Sequence, residues 1–166
     1  MDFNELYIHH YPALYKYLLR LTRCEETGKD LTQEVFEKLY MQIEKEKEKL
    51  KDPKSWLYKV AYNRFANYYS KKQLENRYQQ EKNVTHPGYS ESLPDEEQQK
   101  HEQFEKGLTK LKTEEYHLIM LYKEGLKYRE MAEVLDMNPA SVGKTLARTI
   151  EKLRILIKEE CHELFE

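Results

Sequence analysis

EGLKYREMAEVLDMNPASVGKTLARTIEKLR, residues 124–154, has the pattern of two helices joined by a tight turn. The first helix is predicted over Tyr128–Leu135, with Met131, Ala132 and Leu135 on one face. Asp136-Met137 makes the turn, because Asp is among the few residues other than glycine that tolerate left-handed backbone. Asn138 is placed as an N-cap and Pro139 at the first helical position, the start chemistry a second helix needs. Val142, Leu146, Thr149 and Leu153 recur at helical spacing and seat that second helix, leaving Ser141, Lys144 and Arg148 facing outward. A short helix pair presenting hydroxyl and basic side chains in this way fits a DNA major groove.

The rest of the composition agrees with a helical build. The 166 residues are 35% charged and 12% aromatic, with 14 tyrosines and only five glycines, so neither a Gly/Pro-punctuated β protein nor a disordered chain is indicated. That length holds one domain or two small ones. No apolar run is long enough to span a bilayer, and MDFNE at the start lacks the basic and apolar segments of a signal peptide. A cytoplasmic protein is expected. Cys24 and Cys161 stand far apart and read as reduced thiols, and the six histidines show no metal-ligand spacing.

Working outward, residues 107–166 are predicted to be helical throughout, with Leu108, Leu111, Leu118, Ile119, Leu121 and Tyr122 as apolar positions. Residues 76–106 are rich in Gln, Glu, Asn and Ser, interrupted by Pro87-Gly88 and Pro94, and are expected to form a polar, flexible linker. Residues 1–75 are expected to form a helical domain. Phe3, Leu6, Tyr7, Tyr11, Leu14, Tyr17, Leu18 and Leu21 make its first apolar stripe, with Pro12 bending or restarting the helix. After a break at Cys24–Gly28, a second helix over Lys29–Ile43 buries Leu31, Val35, Phe36, Leu39 and Ile43. KEKEKLK at 45–51 is a solvated run before the turn Asp52-Pro53, and a third helix from near Ser55 to beyond Tyr69 buries Leu57, Val60, Ala61, the stem of Arg64, Phe65 and Tyr68.

A net charge of −2 is not that of a general nucleic-acid coat, but its distribution is uneven. Pro53 to Leu74 carries Lys54, Lys59, Arg64, Lys71 and Lys72 and no acidic residue, whereas Glu91 to Glu105 is strongly acidic. On the third helix, Lys59, Tyr62, Asn63, Ala66, Asn67 and Ser70 share the face opposite the core, flanked by Trp56, Tyr58 and Tyr69 and closed by Lys71 and Lys72. Rings can stack on unpaired bases, amides can meet base edges and lysines can neutralise phosphates, a mixture suited to single-stranded or melting DNA. Any one tyrosine is an ordinary boundary residue of a small core; the acid-free stripe as a whole points to nucleic acid. On the second helix Asp30, Gln33 and Glu34 share an acidic and amide face, which suits a basic protein partner or plain solvent. No nucleophile triad, paired-carboxylate spacing or Gly-rich phosphate loop suggests an enzyme.

These features, in this order, resemble the sigma factors of bacterial RNA polymerase, of the minimal extracytoplasmic-function group. FNELY at 3–7 with YPALY at 11–15 resembles that group's opening helix, DLTQEVF at 30–36 its polymerase-clamp-binding helix, and WLYKVAYNRFANYYSKK at 56–72 its promoter-melting helix. Leu111 through Leu153 resembles its −35-reading domain. The resemblance implies an all-α fold: two small helical domains, 1–75 and 107–166, joined by the linker, with the helix-turn-helix in the second. It implies that Asp30, Gln33, Glu34 and Phe36 engage the β′ clamp helices of core polymerase. Trp56, Lys59, Tyr62, Asn63, Asn67, Lys71 and Lys72 would form the −10 surface, with the loop Glu44–Lys54 receiving a flipped-out base. Ser141, Gly143, Lys144, Ala147 and Arg148 would meet the −35 duplex, Arg148 through phosphate. Partners implied are core RNA polymerase (β′ clamp helices and β flap), promoter DNA and an anti-sigma protein; no cofactor, metal or catalytic activity is implied. Where the family commonly has a basic residue and a larger side chain this chain has Gly143 and Ala147, and Thr145 replaces a frequent arginine. Direct base reading is therefore expected to be thin, with DNA shape and backbone contacts prominent. A stand-alone helix-turn-helix regulator acting as a dimer is the alternative, but it would need neither the Ser55–Lys72 face nor DLTQEVF.

Overall fold

The computed structural model describes residues 2–45, 50–78 and 95–163, with the backbone alone for 76–78, 95–98 and 160–163. Among the described residues there are seven helices and no strand: α1 Phe3–Thr22, α2 Glu25–Lys45, α3 Pro53–Tyr78, α4 Asp95–Thr109, α5 Thr113–Lys123, α6 Tyr128–Leu135 and α7 Pro139–Glu163. The all-α expectation holds. The chain forms two compact units, Met1–Gly88 and Tyr89–Glu166. No described helix is long and apolar enough to cross a membrane.

In the first unit α1, α2 and α3 pack against one another. Asp2 caps α1 by accepting from the Asn4 N–H at 3.1 Å. The helix ends at Arg23, in left-handed backbone at φ 51°, whose N–H returns to the Leu19 carbonyl at 2.8 Å. The predicted break is shorter than expected, since α2 begins at Glu25. Gly28 is buried inside α2, and a Cβ there would stand 3.2 Å from the Leu19 Cα. A side chain at 28 would push α1 and α2 apart at their crossing. Asp52 accepts from the Ser55 N–H at 3.2 Å and Pro53 begins α3, two residues before the expected start. Leu14, Tyr17, Leu18, Leu31, Val35, Leu39, Leu57, Ala61 and Phe65 fill the core, at the three- and four-residue spacing that defines each inward stripe. Each large apolar side chain buried there stabilises the unit by about 1.5–3 kcal/mol.

Pro12 does not divide α1, which runs through it unbroken. The proline is exposed, as is Ile8 four residues earlier, so the carbonyl deprived of its N–H partner lies on the watered side of the helix. The charged run at 45–51 falls mostly on residues 46–49, outside the described residues.

In the second unit α4 and α5 pack on α7, and α6 bridges α5 and α7. Residues 79–94 of the expected linker lie outside the described residues, but its last dozen do not behave as a linker: α4 begins at Asp95. Its reason is a narrow apolar edge. Leu108 is buried, and Gly107 lies so close to α7 that a Cβ would come within 3.0 Å of the Ile157 Cγ1 and 3.1 Å of the Leu153 Cδ1. Glu115 ties the remaining helices, accepting from the Lys112 N–H at 2.9 Å and from Lys152 of α7 at 2.7 Å. Its carboxyl is held below the usual range, chiefly by the Lys152 hydrogen bond. Two inward positions differ from expectation. Tyr122 is exposed while His117 and Met120 are buried, and Val134 rather than Leu135 is fully buried on α6.

Candidate nucleic-acid and protein interfaces

The turn between α6 and α7 is built as its residues dictate. Asp136 takes left-handed backbone at φ 52°, ψ 41°, and closes α6 through its N–H to the Ala132 carbonyl. The Asn138 side chain accepts from the Ala140 N–H at 3.0 Å, and Pro139 opens α7. Val142, Leu146, Thr149 and Leu153 are all buried, which fixes the rotation of α7 about its axis. Ser141, Lys144, Ala147 and Arg148 are consequently exposed. The Ser141 hydroxyl donates to the Asn138 carbonyl at 2.8 Å, so its outward capacity is as an acceptor. Among the described residues no ion pair engages Lys144 or Arg148. Gly143 behaves differently from its neighbours: it is half-buried, and the Tyr128 ring lies over it.

On α3 the predicted face is present but unequal in depth. Asn63, Asn67, Ser70 and Lys71 are exposed, whereas Trp56, Lys59, Tyr62, Ala66 and Lys72 are half-buried. The Lys72 ammonium sits 5.7 Å from the Tyr68 ring centroid, and Phe65 stacks on Tyr69 with centroids 5.8 Å apart. Tyr58 does not flank this face. It is buried in the core, edge-on to Tyr17 at 5.1 Å, because its position falls on the inward turn of α3. The loop Glu44–Lys54 is described only at its two ends.

The α2 face splits as well. Asp30 and Gln33 are exposed and Gln33 donates to Glu37 at 3.0 Å. Glu34 is half-buried and pairs with Arg64 of α3, Oε2 to Nη1 at 3.2 Å, so the acidic face of α2 is joined to the helix carrying the basic stripe. With both side chains substantially exposed, this pair contributes little stability. Phe36 is nearly enclosed: it is 2% exposed, its ring centroid 4.8 Å from that of Tyr7 and 5.9 Å from that of Tyr11. Those rings form the floor and wall of a groove of about 510 Å³ lined by Phe3, Tyr7, Tyr11, Phe36, Tyr40 and Met41, with Lys29, Gln33 and Glu37 on its rim. Sequence reasoning missed the groove, although Phe3, Tyr7 and Tyr11 at four-residue spacing opposite Phe36 and Tyr40 carry its signal. Among the described residues no group of three or more His, Cys, Asp or Glu side chains is arranged to hold a metal ion.

Residues 6–75 match the family model for sigma-70 region 2, a span that takes in the α2 face, the α2–α3 ion pair and the α3 stripe. Over 158 residues the chain is 29% identical to the RNA polymerase sigma factor YlaC of Bacillus subtilis, covering 91% of this chain and 89% of that relative. It is 24% identical to the ECF RNA polymerase sigma factor SigM of the same organism, covering 94% and 95%. Its fold is similar to that of the sigma factor RpoE of Bartonella quintana, solved with the anti-sigma factor NepR, at a TM-score of 0.73 and 22% identity over 95% of this chain and 97% of that one. It is similar also to CnrH, solved with the cytosolic domain of CnrY, at a TM-score of 0.67 and 19% identity over 95% and 88%. The stretch that matches sigma-70 region 2 holds the α2–α3 surface, and along nearly its whole length the chain is similar to two curated sigma factors of RNA polymerase.

Proposed function

We propose that the chain binds core RNA polymerase and directs transcription initiation at promoters with defined −35 and −10 elements. The observation that carries this reading is the Glu34–Arg64 pair, which joins an acidic and amide helix face to a basic, aromatic and amide helix face within one unit. Asp30 and Gln33 present the protein-binding side, with the aromatic groove beside them and Phe36 acting as its floor rather than as a contact. Asn63, Asn67 and Lys71 present the nucleic-acid side, backed by the half-buried Trp56 and Tyr62.

The physical division of labour is as follows. Opening DNA at the −10 element requires unstacking bases at a cost of a few kcal/mol, and stacking and amide contacts to the separated strand offset that cost. The second unit needs no such chemistry. Lys144 and Arg148 on a rigid, capped helix approach an intact duplex, Lys144 toward base edges and Arg148 toward phosphate. No covalent step is assigned to the chain. It works in the cytoplasm, where core polymerase and chromosome are, and an anti-sigma protein covering the polymerase-binding face of the first unit would hold it inactive. The complexes formed by RpoE with NepR and by CnrH with CnrY support that regulation.

In vitro transcription with purified core enzyme over a promoter library tests the proposal. Addition of the chain is expected to yield transcripts from a subset of promoters sharing two spaced elements. Failure to associate with core enzyme, or initiation without sequence preference, would overturn it.

A further inference from the structure

The position at which the sequence places Gly143 in the major groove is occupied by another side chain. A Cβ built on Gly143 would stand 3.1 Å from the Tyr128 Cε2 and 3.6 Å from its Cδ2, so one edge of the ring rests directly on the backbone of α7. Any larger residue at 143 would have to displace that ring. Tyr128 nevertheless remains 49% exposed, so its other edge is open to solvent. Gly143 adjoins Lys144 and lies one turn from Ala147, and both of those are exposed on the face that carries Ser141 and Arg148. A tyrosine has only two side-chain torsions, and this one is braced on one side by main chain, so holding it at an interface costs little further entropy.

Resting on the proposed −35 reading, we infer that Tyr128 is a specificity-determining residue of this surface. Its ring, seated on Gly143, supplies an apolar contact to the major-groove edge of the duplex. The chemistry such a contact recognises is the 5-methyl group of thymine, which no donor or acceptor on Lys144 or Ser141 can read. A glycine at 143 is then not a lost reader but the seat for one supplied by α6, and the small Ala147 leaves the ring uncovered.

Holoenzyme assembled from core polymerase and the full chain is measured for binding to −35 duplex probes in which each thymine in turn is replaced by deoxyuridine, removing only the methyl. With the native chain, at least one replacement is expected to weaken binding about fourfold, the value of one buried methyl. Tyr128→Phe is expected to keep that sensitivity, and Tyr128→Ala to abolish it while Lys144→Ala leaves it in place. Gly143→Val, which displaces the ring without touching it chemically, is expected to behave like Tyr128→Ala; unchanged helical circular dichroism in each variant establishes that the fold is intact. Unaltered methyl sensitivity in Tyr128→Ala overturns the inference, as does a Phe variant as defective as the Ala variant, which would mean a hydroxyl contact to phosphate. A native holoenzyme indifferent to the −35 sequence would overturn the promoter-reading proposal itself, a distinguishable result.

Discussion

Helices α3 and α7 both carry basic and polar side chains outward, yet the two faces are built on different principles. On α3 the large groups are partly sunk: Trp56, Tyr62 and Lys72 are half-buried, and the exposed members are the short amides Asn63 and Asn67 with Lys71. On α7 the arrangement is inverted, with the long cations Lys144 and Arg148 exposed on a helix whose adjoining residues, Gly143 and Ala147, are small. Flat rings with amides between them suit bases that have already left the stack, whereas long cations on a smooth rod suit an intact duplex. The lesson is that net basicity alone does not distinguish the two uses; the depth of the aromatic residues does.

The two units should also part company in acid, and here the largest effect is expected. His117 in α5 is 2% exposed, and burial lowers its pKa from 6.5 to about 4. The unfolded chain therefore takes up the proton first, so the stabilisation is complete above pH 6.5 and is lost as pH falls from there to about 4. The full loss is about 3 kcal/mol. Glu115 adds a further loss only at lower pH, because its depressed carboxyl must be protonated. His10 in the first unit shifts in the same direction, chiefly through partial burial, but it is far less enclosed. Hydrogen exchange of the full chain at pH 7.5 and pH 5, compared after correction for intrinsic rates, should show α5 losing protection while α2 and α3 keep theirs. His117→Leu should remove the difference. Equal losses in both units would show that the histidine is not the cause.

The second contrast concerns what each helix binds. Each stacked or captured base is worth about 1–3 kcal/mol, so Tyr62→Ala or Asn63→Ala in holoenzyme should weaken capture of a single-stranded −10 probe by about 10- to 100-fold. Binding of the same holoenzyme to a −35 duplex should be unchanged. A loss of equal size on both probes would mean that α3 stabilises the protein rather than gripping the separated strand.

How much of this the sequence discloses depends on how local the cause is. The boundaries of α6 and the start of α7 follow from Asp136, Asn138 and Pro139, whose backbone preferences act over three or four residues whatever surrounds them. The inward stripes of α2 and α7 follow from periodicity alone. Pro12 is harder, because the cost of the carbonyl it frees depends on whether water reaches that carbonyl, and exposure is a tertiary property. Helix α4 hides behind its composition: its polar residues read as linker, and the small edge formed by Gly107 and Leu108 has meaning only once α7 lies beside it. Spacing sets Tyr58 beside the outward face of α3, but it gives a face and not the neighbour that covers it, and Tyr58 is buried against Tyr17. Tyr128 over Gly143 is the extreme case, a contact between two helices that no pattern within either one encodes.

The finest contrast lies within α7 itself. Lys144→Ala should cost about 1–3 kcal/mol in binding of the −35 duplex and flatten the preference among sequences, because the lost contact is to a base edge. Arg148→Ala, one turn further along, should weaken all sequences alike. The measurement that separates them is the salt dependence of binding on preferred and scrambled duplexes: removal of a phosphate contact lowers the slope of log affinity against log salt by about 1, with the ratio between sequences preserved. A marked change of preference in Arg148→Ala would exchange the two roles. It would also make α7 a reader along two turns rather than one, although the position between Lys144 and Arg148, Ala147, offers only a methyl group.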